Sequence, residues 1–333
     1  MRRIGCLLSM FACVLLTLLP ALAWGPTPLV GAVAAAPALC AGERWTDLAP
    51  IPVVKGRALG VNAGNAIYVF GGRPNETDYS DQIYRYNTAA NSWSLLPQTL
   101  PDRTTSNMAG GLLSFPEGER IFIVGGSGSS ENPDLSFTRR AFAFNPADGA
   151  VTPKATWPVS PRFPGGWAVA QNKLYIFGGG FARFQAGSEA VYDDIWVYDP
   201  LTDAWTQLPA RLSVARGYIA TETMPDGLIY LAGGSLLEPK SASSSGGPTD
   251  LAVFERFDPG TNAIVAGPSL PKATSNNHGY SVGGKFVVPA GTARPRPQCR
   301  STTQRPTRGA AGRAPCNPSA VTPRATAATA RFW

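Results

Sequence analysis

The sequence predicts an all-β fold of about five four-stranded sheets, and three observations carry that prediction. First, five segments end alike: IYVFGG at 67–72, IFIVGG at 121–126, LYIFGG at 174–179, IYLAGG at 229–234 and a degraded FVVPAG at 286–291. Their second glycines lie 54, 53, 55 and 57 residues apart, and self-similarity at such a period marks a repeat architecture. Second, four of the units continue with an aromatic, a turn and a second anchor seven residues on: Tyr86 and Trp93, Phe144 and Val151, Tyr198 and Trp205, Phe257 and Ile264. Third, no helix-period stretch of useful length competes in the repeat region.

Each element of the unit follows from its residues. Ahead of each glycine pair lies a hairpin, as in 168–171 followed by 174–177. The glycine pair suits a place where the backbone turns sharply or passes close to a neighbour. A stretch of variable length comes next. The aromatic, the Asn/Asp/Pro/Gly turn and the second anchor then form another hairpin, because those turn residues pre-set dihedrals or cap their own backbone. Trp45, Trp93, Trp205, Tyr86 and Tyr198 are expected as core aromatics that supply apolar area between sheets.

Four-stranded units with a glycine pair after strand two and aromatics in strands three and four resemble the kelch repeat over roughly 43–291. The resemblance implies a kelch-type β-propeller, similar to the galactose-oxidase propeller without its copper site. A lone four-stranded sheet cannot cover its own faces, whereas a ring of them packs face to face and leaves short edges. The segment ERWTDLAP at 43–50 matches NSWSLLP at 91–97 and DAWTQLP at 203–209, yet no first three strands precede it. The resemblance therefore implies that this N-terminal strand closes the last blade, with Trp45 in the sheet that holds 286–291. Four complete repeats and one shared between the chain ends result.

The flanks read differently. Residues 1–23 have a positive start (Arg2, Arg3), an apolar run from Ile4 to Leu19 and an A-x-A site ending at Ala23, the three parts of a secretory signal peptide. A secreted, periplasmic or extracellular protein is expected, the alternative being one anchored by this segment left uncleaved. Residues 24–42 read as a linker. Residues 292–333 hold eight Arg, no Lys, Asp or Glu, and much Pro, Ala, Thr and Ser, a composition that cannot bury enough apolar surface to fold. This tail is expected to be disordered. Its abrupt start in mid-blade is also what out-of-frame translation of a GC-rich gene produces. A Tyr-Asp turn and a Trp at repeat spacing in another reading frame are the test.

Net charge must be read by segment. The chain has 29 Lys plus Arg against 22 Asp plus Glu, or +7. The tail with Arg2 and Arg3 holds ten of the positives, so 24–291 carries 19 against 22, or −3. A basic surface for nucleic acid is not expected on the propeller. Cys6 and Cys13 lie in the leader, and Cys40, Cys299 and Cys316 lie outside the repeats, so the fold does not depend on disulfides.

The inventory limits the chemistry. A galactose-oxidase-like copper site needs two imidazoles and a cysteine cross-linked to a tyrosine, whereas this chain has one histidine, His278, and no cysteine in its repeats. A His-rich zinc site is excluded likewise, and Ser-His-Asp catalysis requires His278 as its base. No metal and no cofactor is expected.

Arg57, Arg103, Arg162 and Arg216 precede inner strands, and His278 takes the corresponding place in the fifth unit. In propellers those loops share a face with the loops after the glycine pairs, which bring Arg73, Glu76, Arg183 and Asp194. One reading has the arginines binding carbonyls or acids between blades. The other is an anion or sugar site, since a guanidinium fork reads carboxylates bidentately. The stretch 235–250 is Ser/Gly-rich and expected to be mobile, and Asn75-Glu76-Thr77 is a glycosylation sequon.

Two functions are compatible with these residues. One is a secreted, non-catalytic and monomeric binding module that recognises a protein or carbohydrate partner through its loop face. The other is a carbohydrate-active enzyme resembling the kelch-type sialate epimerase, with an Arg-lined channel and Glu222, Glu76 or Asp194 as acid-base. A carboxylate in the channel within hydrogen-bond reach of an arginine discriminates them.

Overall fold

The computed structural model describes residues 46–75, 78–101, 106–128, 138–181, 190–238, 247–275 and 278–289. The leader, the linker, Trp45 and the tail lie outside the described residues, and so do the expectations that fall on them. Two units divide the chain, Met1–Asp47 and Leu48–Trp333. The fold below is that of the second.

The described residues are all β. Four antiparallel sheets follow one another: β1 (Leu59–Ala63), β2 (Ala66–Phe70), β3 (Gln82–Asn87) and β4 (Ser92–Thr99); β5 (Ala109–Phe115), β6 (Gly118–Val124), β7 (Ala141–Phe144) and β8 (Val151–Lys154). The third is β9 (Phe163–Ala170), β10 (Lys173–Phe181), β11 (Ala190–Asp199) and β12 (Ala204–Arg211). The fourth is β13 (Ala220–Thr223), β14 (Ile229–Ala232), β17 (Phe254–Asp258) and β18 (Ala263–Ala266), interrupted by a hairpin of β15 (Ser235–Glu238) and β16 (Gly247–Asp250). A fifth unit begins with the pair β19 (Tyr280–Val282) and β20 (Lys285–Val287). The inner strands β1, β5, β9, β13 and β19 neighbour one another in that order, the arrangement of propeller blades.

Burial explains the hydrophobic pattern. Second strands are covered on both faces, so Ile121 to Val124 are all buried, whereas outer strand β4 is mostly exposed. Between blades one and two the core holds Leu59, Tyr68, Phe70, Ile121 and Ile123. Between two and three it holds Phe122, Val124, Leu174, Ile176 and Trp157, and between three and four Tyr175, Phe177, Ile229 and Leu231. Into each seam the next blade inserts its motif aromatic. Phe144 lies 5.5 Å from Tyr68 and 5.3 Å from Phe70, Tyr198 stacks on Phe122 at 3.9 Å, and Phe257 lies 5.4 Å from both Tyr175 and Phe177.

The turn residue of the aromatic motif has its own task. Asp203, left-handed at φ 48°, accepts from the Tyr198 hydroxyl at 2.6 Å and from the Ala155 N–H at 2.9 Å, while the Trp205 indole donates to the Ala155 carbonyl at 2.8 Å. Burial, then the Asp203 bond, raises the Tyr198 pKa. Blade one repeats this bracket: Asn91, also at φ 48°, accepts from the Tyr86 hydroxyl at 2.6 Å and from the Ala49 N–H at 2.7 Å, and Trp93 donates to the Ala49 carbonyl at 2.8 Å. Ala155 directly follows the outer strand of the preceding blade. Ala49 thus holds the place of a residue that follows an outer strand.

The glycine pairs share one conformation. Both members have positive φ in all four complete blades, 61° and 89°, 70° and 119°, 57° and 110°, and 63° and 100°. A Cβ on Gly179 meets the Phe163 carbonyl oxygen at 2.2 Å. Gly179→Ala is therefore expected to cost at least about 2 kcal/mol, from the left-handed backbone alone before the clash is added. Gly60→Ala, whose methyl meets nothing within 4 Å, is expected to be neutral or mildly stabilising. Urea midpoints of the two variants check this, and equal midpoints contradict it.

Candidate functional site

The two ends of the propeller are built differently. At one end the turn between strands one and two is two residues in blades one, two and three (Gly64-Asn65, Glu117 with Pro116, Gln171-Asn172), and the hairpins between strands three and four are short. At the other end the connections after the glycine pairs change from blade to blade. Blade three extends β10 and β11 past its pair, with Gly180 opposite Val191 and Phe181 opposite Ala190. Blade four inserts the β15–β16 hairpin, so the ends of the expected mobile stretch are ordered by pairing such as Ser235 with Asp250. Bridges Gly56–Arg73, Ser106–Ser127 and Gly217–Ser235 tie the entry to each inner strand to the residue after the glycine pair. The entry loops and the glycine-pair loops therefore share one face.

These bridges give a register in which the candidate arginines separate. Lys55, Arg162 and Arg216 occupy one position, just before the bridging residue, and each reaches the third strand of its own blade or the loop before it. Arg216 is fully buried. Its guanidinium donates to Glu255 Oε2 at 2.5 Å, to the Gly233 carbonyl at 2.9 Å and to the Val214 carbonyl at 3.0 Å. Glu255 accepts at its other oxygen from the Ser213 N–H at 2.8 Å. Desolvation lowers the Arg216 pKa and the Glu255 charge opposes it. Arg162, 2% exposed, lies 2.8 Å from both Asp194 oxygens, with its guanidinium over the rings of Tyr192 and Trp157 at 4.0 and 4.9 Å. Lys55 donates to Ser80 at 2.6 Å and lies over Tyr84.

Arg57 belongs to a second set, two residues further on. It is exposed and left-handed at φ 56°, and Asn107 at 56° and Tyr218 at 55° take the same place in blades two and four. The Asn107 N–H donates to the Arg57 carbonyl at 3.1 Å. Tyr218 stacks on Phe163 of blade three at 4.7 Å. Burial raises the Tyr218 pKa, and the positive charge of Arg57 pulls it down. Three blades thus contribute Arg57, Asn107 and Tyr218 to one mouth, and the buried Phe163 of blade three supports Tyr218.

The remaining candidates are placed as follows. Arg73 is half-buried, paired through its backbone with Gly56 and over the Tyr79 ring at 4.9 Å. His278, exposed as a residue, meets Trp167 edge-on at 5.7 Å, and desolvation lowers its pKa. Arg103, Glu76 and Arg183 lie outside the described residues. The structure brings Arg57 to the mouth, joins Arg162 to Asp194 and draws Arg216 into the interior. Asn107, Tyr218 and Phe163 were not singled out from the sequence: Arg57, Asn107 and Tyr218 stand 15, 19 and 16 residues before the second glycine of their units, so their shared place shows only through the bridges.

Trp167 lies partly buried on the inner strand β9. Corresponding positions on β1, β5 and β13 are Gly60, Gly110 and Thr221, Gly279 directly precedes β19, and the indole packs against the seams of blades one–two and two–three. The Thr221 hydroxyl donates to the Trp167 carbonyl and accepts from its N–H at 3.0 Å. Glu222 follows, half-buried, with no arginine among the described residues bonded to it; burial raises its pKa. A raised value means that the unfolded chain releases this proton first. Stability is thus lost as pH climbs from the ordinary glutamate range through the raised value. Glu222→Gln is expected to flatten that decline in urea midpoints taken between about pH 4 and pH 7, and an unchanged slope contradicts it.

Among the described residues no three His, Cys, Asp or Glu side chains are grouped to hold a metal ion, and no helix is long and apolar enough to cross a membrane.

Repeated four-stranded sheets, shared glycine pairs and a loop-bearing end define a repeat β-propeller. A family model, the KLHDC2/KLHL20/DRC7 Kelch-repeats domain, matches residues 43–246, and the chain belongs to this kelch-repeat family. It is 24% identical over 260 residues to Kelch-like protein terF of Aspergillus terreus, covering 74% of this chain and 52% of that protein. It is 30% identical over 121 residues to the N-acetylneuraminate epimerase of Haemophilus influenzae (strain 86-028NP), covering 32% of each. The chain thus spans about half the length of the first relative and a third of the second. The solved structure of YjhT superposes with a TM-score of 0.60 at 14% identity, over 74% of this chain and 80% of that one. At that identity the likeness speaks for the fold alone.

Proposed function

We propose that the protein is an exported, non-catalytic and monomeric binding module that holds a protein partner on the glycine-pair end of its propeller. The observation that carries this is the contrast between the ends: short turns at one, and at the other connections that differ from blade to blade around a mouth of Arg57, Asn107 and Tyr218. Binding residues gather on variable loops held by a rigid scaffold. Left-handed Arg and Tyr cost of order 1–3 kcal/mol each, and such strain clusters at functional sites. Export rests on the leader-like residues 1–23.

Screening the full chain on protein and glycan arrays tests the proposal. Arg57→Gly relieves the left-handed strain while deleting the guanidinium. It is expected to fold at least as stably as the native chain and to bind its protein partner at least tenfold more weakly. Capture that survives Arg57→Gly and Tyr218→Ala in a folded protein refutes the mouth.

A second reading, a sugar isomerase, is favoured by Glu222, a half-buried acid of raised pKa on an inner strand, and by the partial match to the epimerase. Against it, Asp194 is the described candidate acid that meets an arginine, and both its oxygens are committed to Arg162. Interconversion of sugar anomers or epimers by the full chain, lost in Glu222→Gln, would favour this reading over the first.

A further inference from the structure

A different place in the molecule carries a ligand site of its own, at the end remote from the glycine pairs. A cleft of about 250 Å3 opens between blades three and four, under the β9–β10 turn and the β17–β18 turn. The corresponding seam between blades one and two is closed: Tyr68 donates through its hydroxyl to the Pro146 carbonyl at 3.3 Å, and Gln98 donates to Asp148. Tyr175 is the counterpart of Tyr68 and Pro259 that of Pro146, and here the two stand on opposite sides of open space. The Tyr175 ring is buried and held by Phe257, and its hydroxyl, to which no described residue hydrogen-bonds, opens on the cleft. A hydroxyl that opens on a cleft without a protein partner keeps both its donor and its acceptor capacity for a ligand there.

The lining states the chemistry. The Gln171 and Asn262 amides and the Thr206 and Tyr175 hydroxyls both donate and accept, while Val197 and Leu208 supply an aliphatic wall. Lys173 brings a cation, but its ammonium lies 2.9 Å from Asp199, which cancels the charge. The Asp199 bond raises the Lys173 pKa, and the Lys173 bond lowers that of Asp199, so both stay charged at neutral pH. An anion gains little beside that pair, and an apolar ligand leaves the polar groups unmatched. The volume lies below that of drug-sized sites.

We infer that the cleft between blades three and four binds a neutral polyhydroxylated ligand of monosaccharide size, with the Tyr175 hydroxyl as its anchor. The site is independent of the loop-end mouth. Methyl glucosides, galactosides and mannosides titrated into the full chain, followed by saturation-transfer NMR and calorimetry, provide the test. Saturable binding on the order of millimolar is expected for at least one of them. Tyr175→Phe keeps the ring and removes the hydroxyl, and is expected to weaken binding about fivefold or more. Thr206→Val, at an exposed position that folding does not depend on, is expected to act in the same direction and carries the test if Tyr175→Phe is unstable. Arg57→Gly is expected to leave this binding unchanged. The same sugars presented as chain ends on immobilised oligosaccharides show whether a free sugar or a glycan terminus is preferred; saturable, Tyr175-dependent binding to either supports the inference. Absence of saturable binding to every neutral probe, or binding indifferent to both cleft variants, overturns it.

Discussion

Arg216→Met is expected to cost about 3–5 kcal/mol of folding stability, because it leaves Glu255 ionised and unpaired in the interior. Both partners are nearly inaccessible, at 0% and 2% exposure. The same substitution strips the Gly233 and Val214 carbonyls of their donor, so the loss is not Coulombic alone. Adding Glu255→Met is expected to recover much of the loss, since two apolar side chains in a buried site are often as stable as an ion pair. Urea denaturation of the native chain, both single variants and the double variant measures the coupling. A single-variant loss below about 1 kcal/mol would mean that water reaches the pair.

A loss of about 3–5 kcal/mol is likewise expected for Phe144→Ala, through a different cause. Its ring is fully buried and packs on Tyr68 and Phe70 of the preceding blade. Removing it leaves a void bounded by strands whose backbones are fixed by their own ladders, so the seam relaxes little. Leu95→Ala, on an outer strand and 51% exposed, is expected to change stability by less than about 0.5 kcal/mol. Comparable losses in the two variants would show that the seams do not carry the fold.

The repeat made the scaffold legible. The glycine pairs and the seven-residue interval of the aromatic motif mark strand two and the β3–β4-type hairpin because both need special backbone conformations that few residue types adopt, and Asn91, Asp203 and Asn262 are left-handed in those hairpins. The site was less legible. Arg57 and Arg216 look alike in sequence, yet one is exposed and the other buried, because a two-residue shift relative to the bridge moves a side chain from the mouth into the blade. Counting back from the inner strand cannot show that shift; pairing across Gly56–Arg73 and Gly217–Ser235 does. The ion-pair partner Glu255 was invisible for a similar reason, since it lies one blade element away and its strand neighbours alternate in direction. The open seam beneath Tyr175 depends on how two turns sit against each other, which no local pattern encodes.

The seams between blades join sheets that are also consecutive in the chain, so each unit answers mainly to the one before and the one after it. Disturbance at one seam is therefore felt by its immediate neighbours and fades beyond them. Recognition can accordingly be revised one connection at a time: lengthening the insert after one glycine pair changes what the face touches without renegotiating the supports of the other three. A lineage carrying this scaffold can change its partners faster than its architecture.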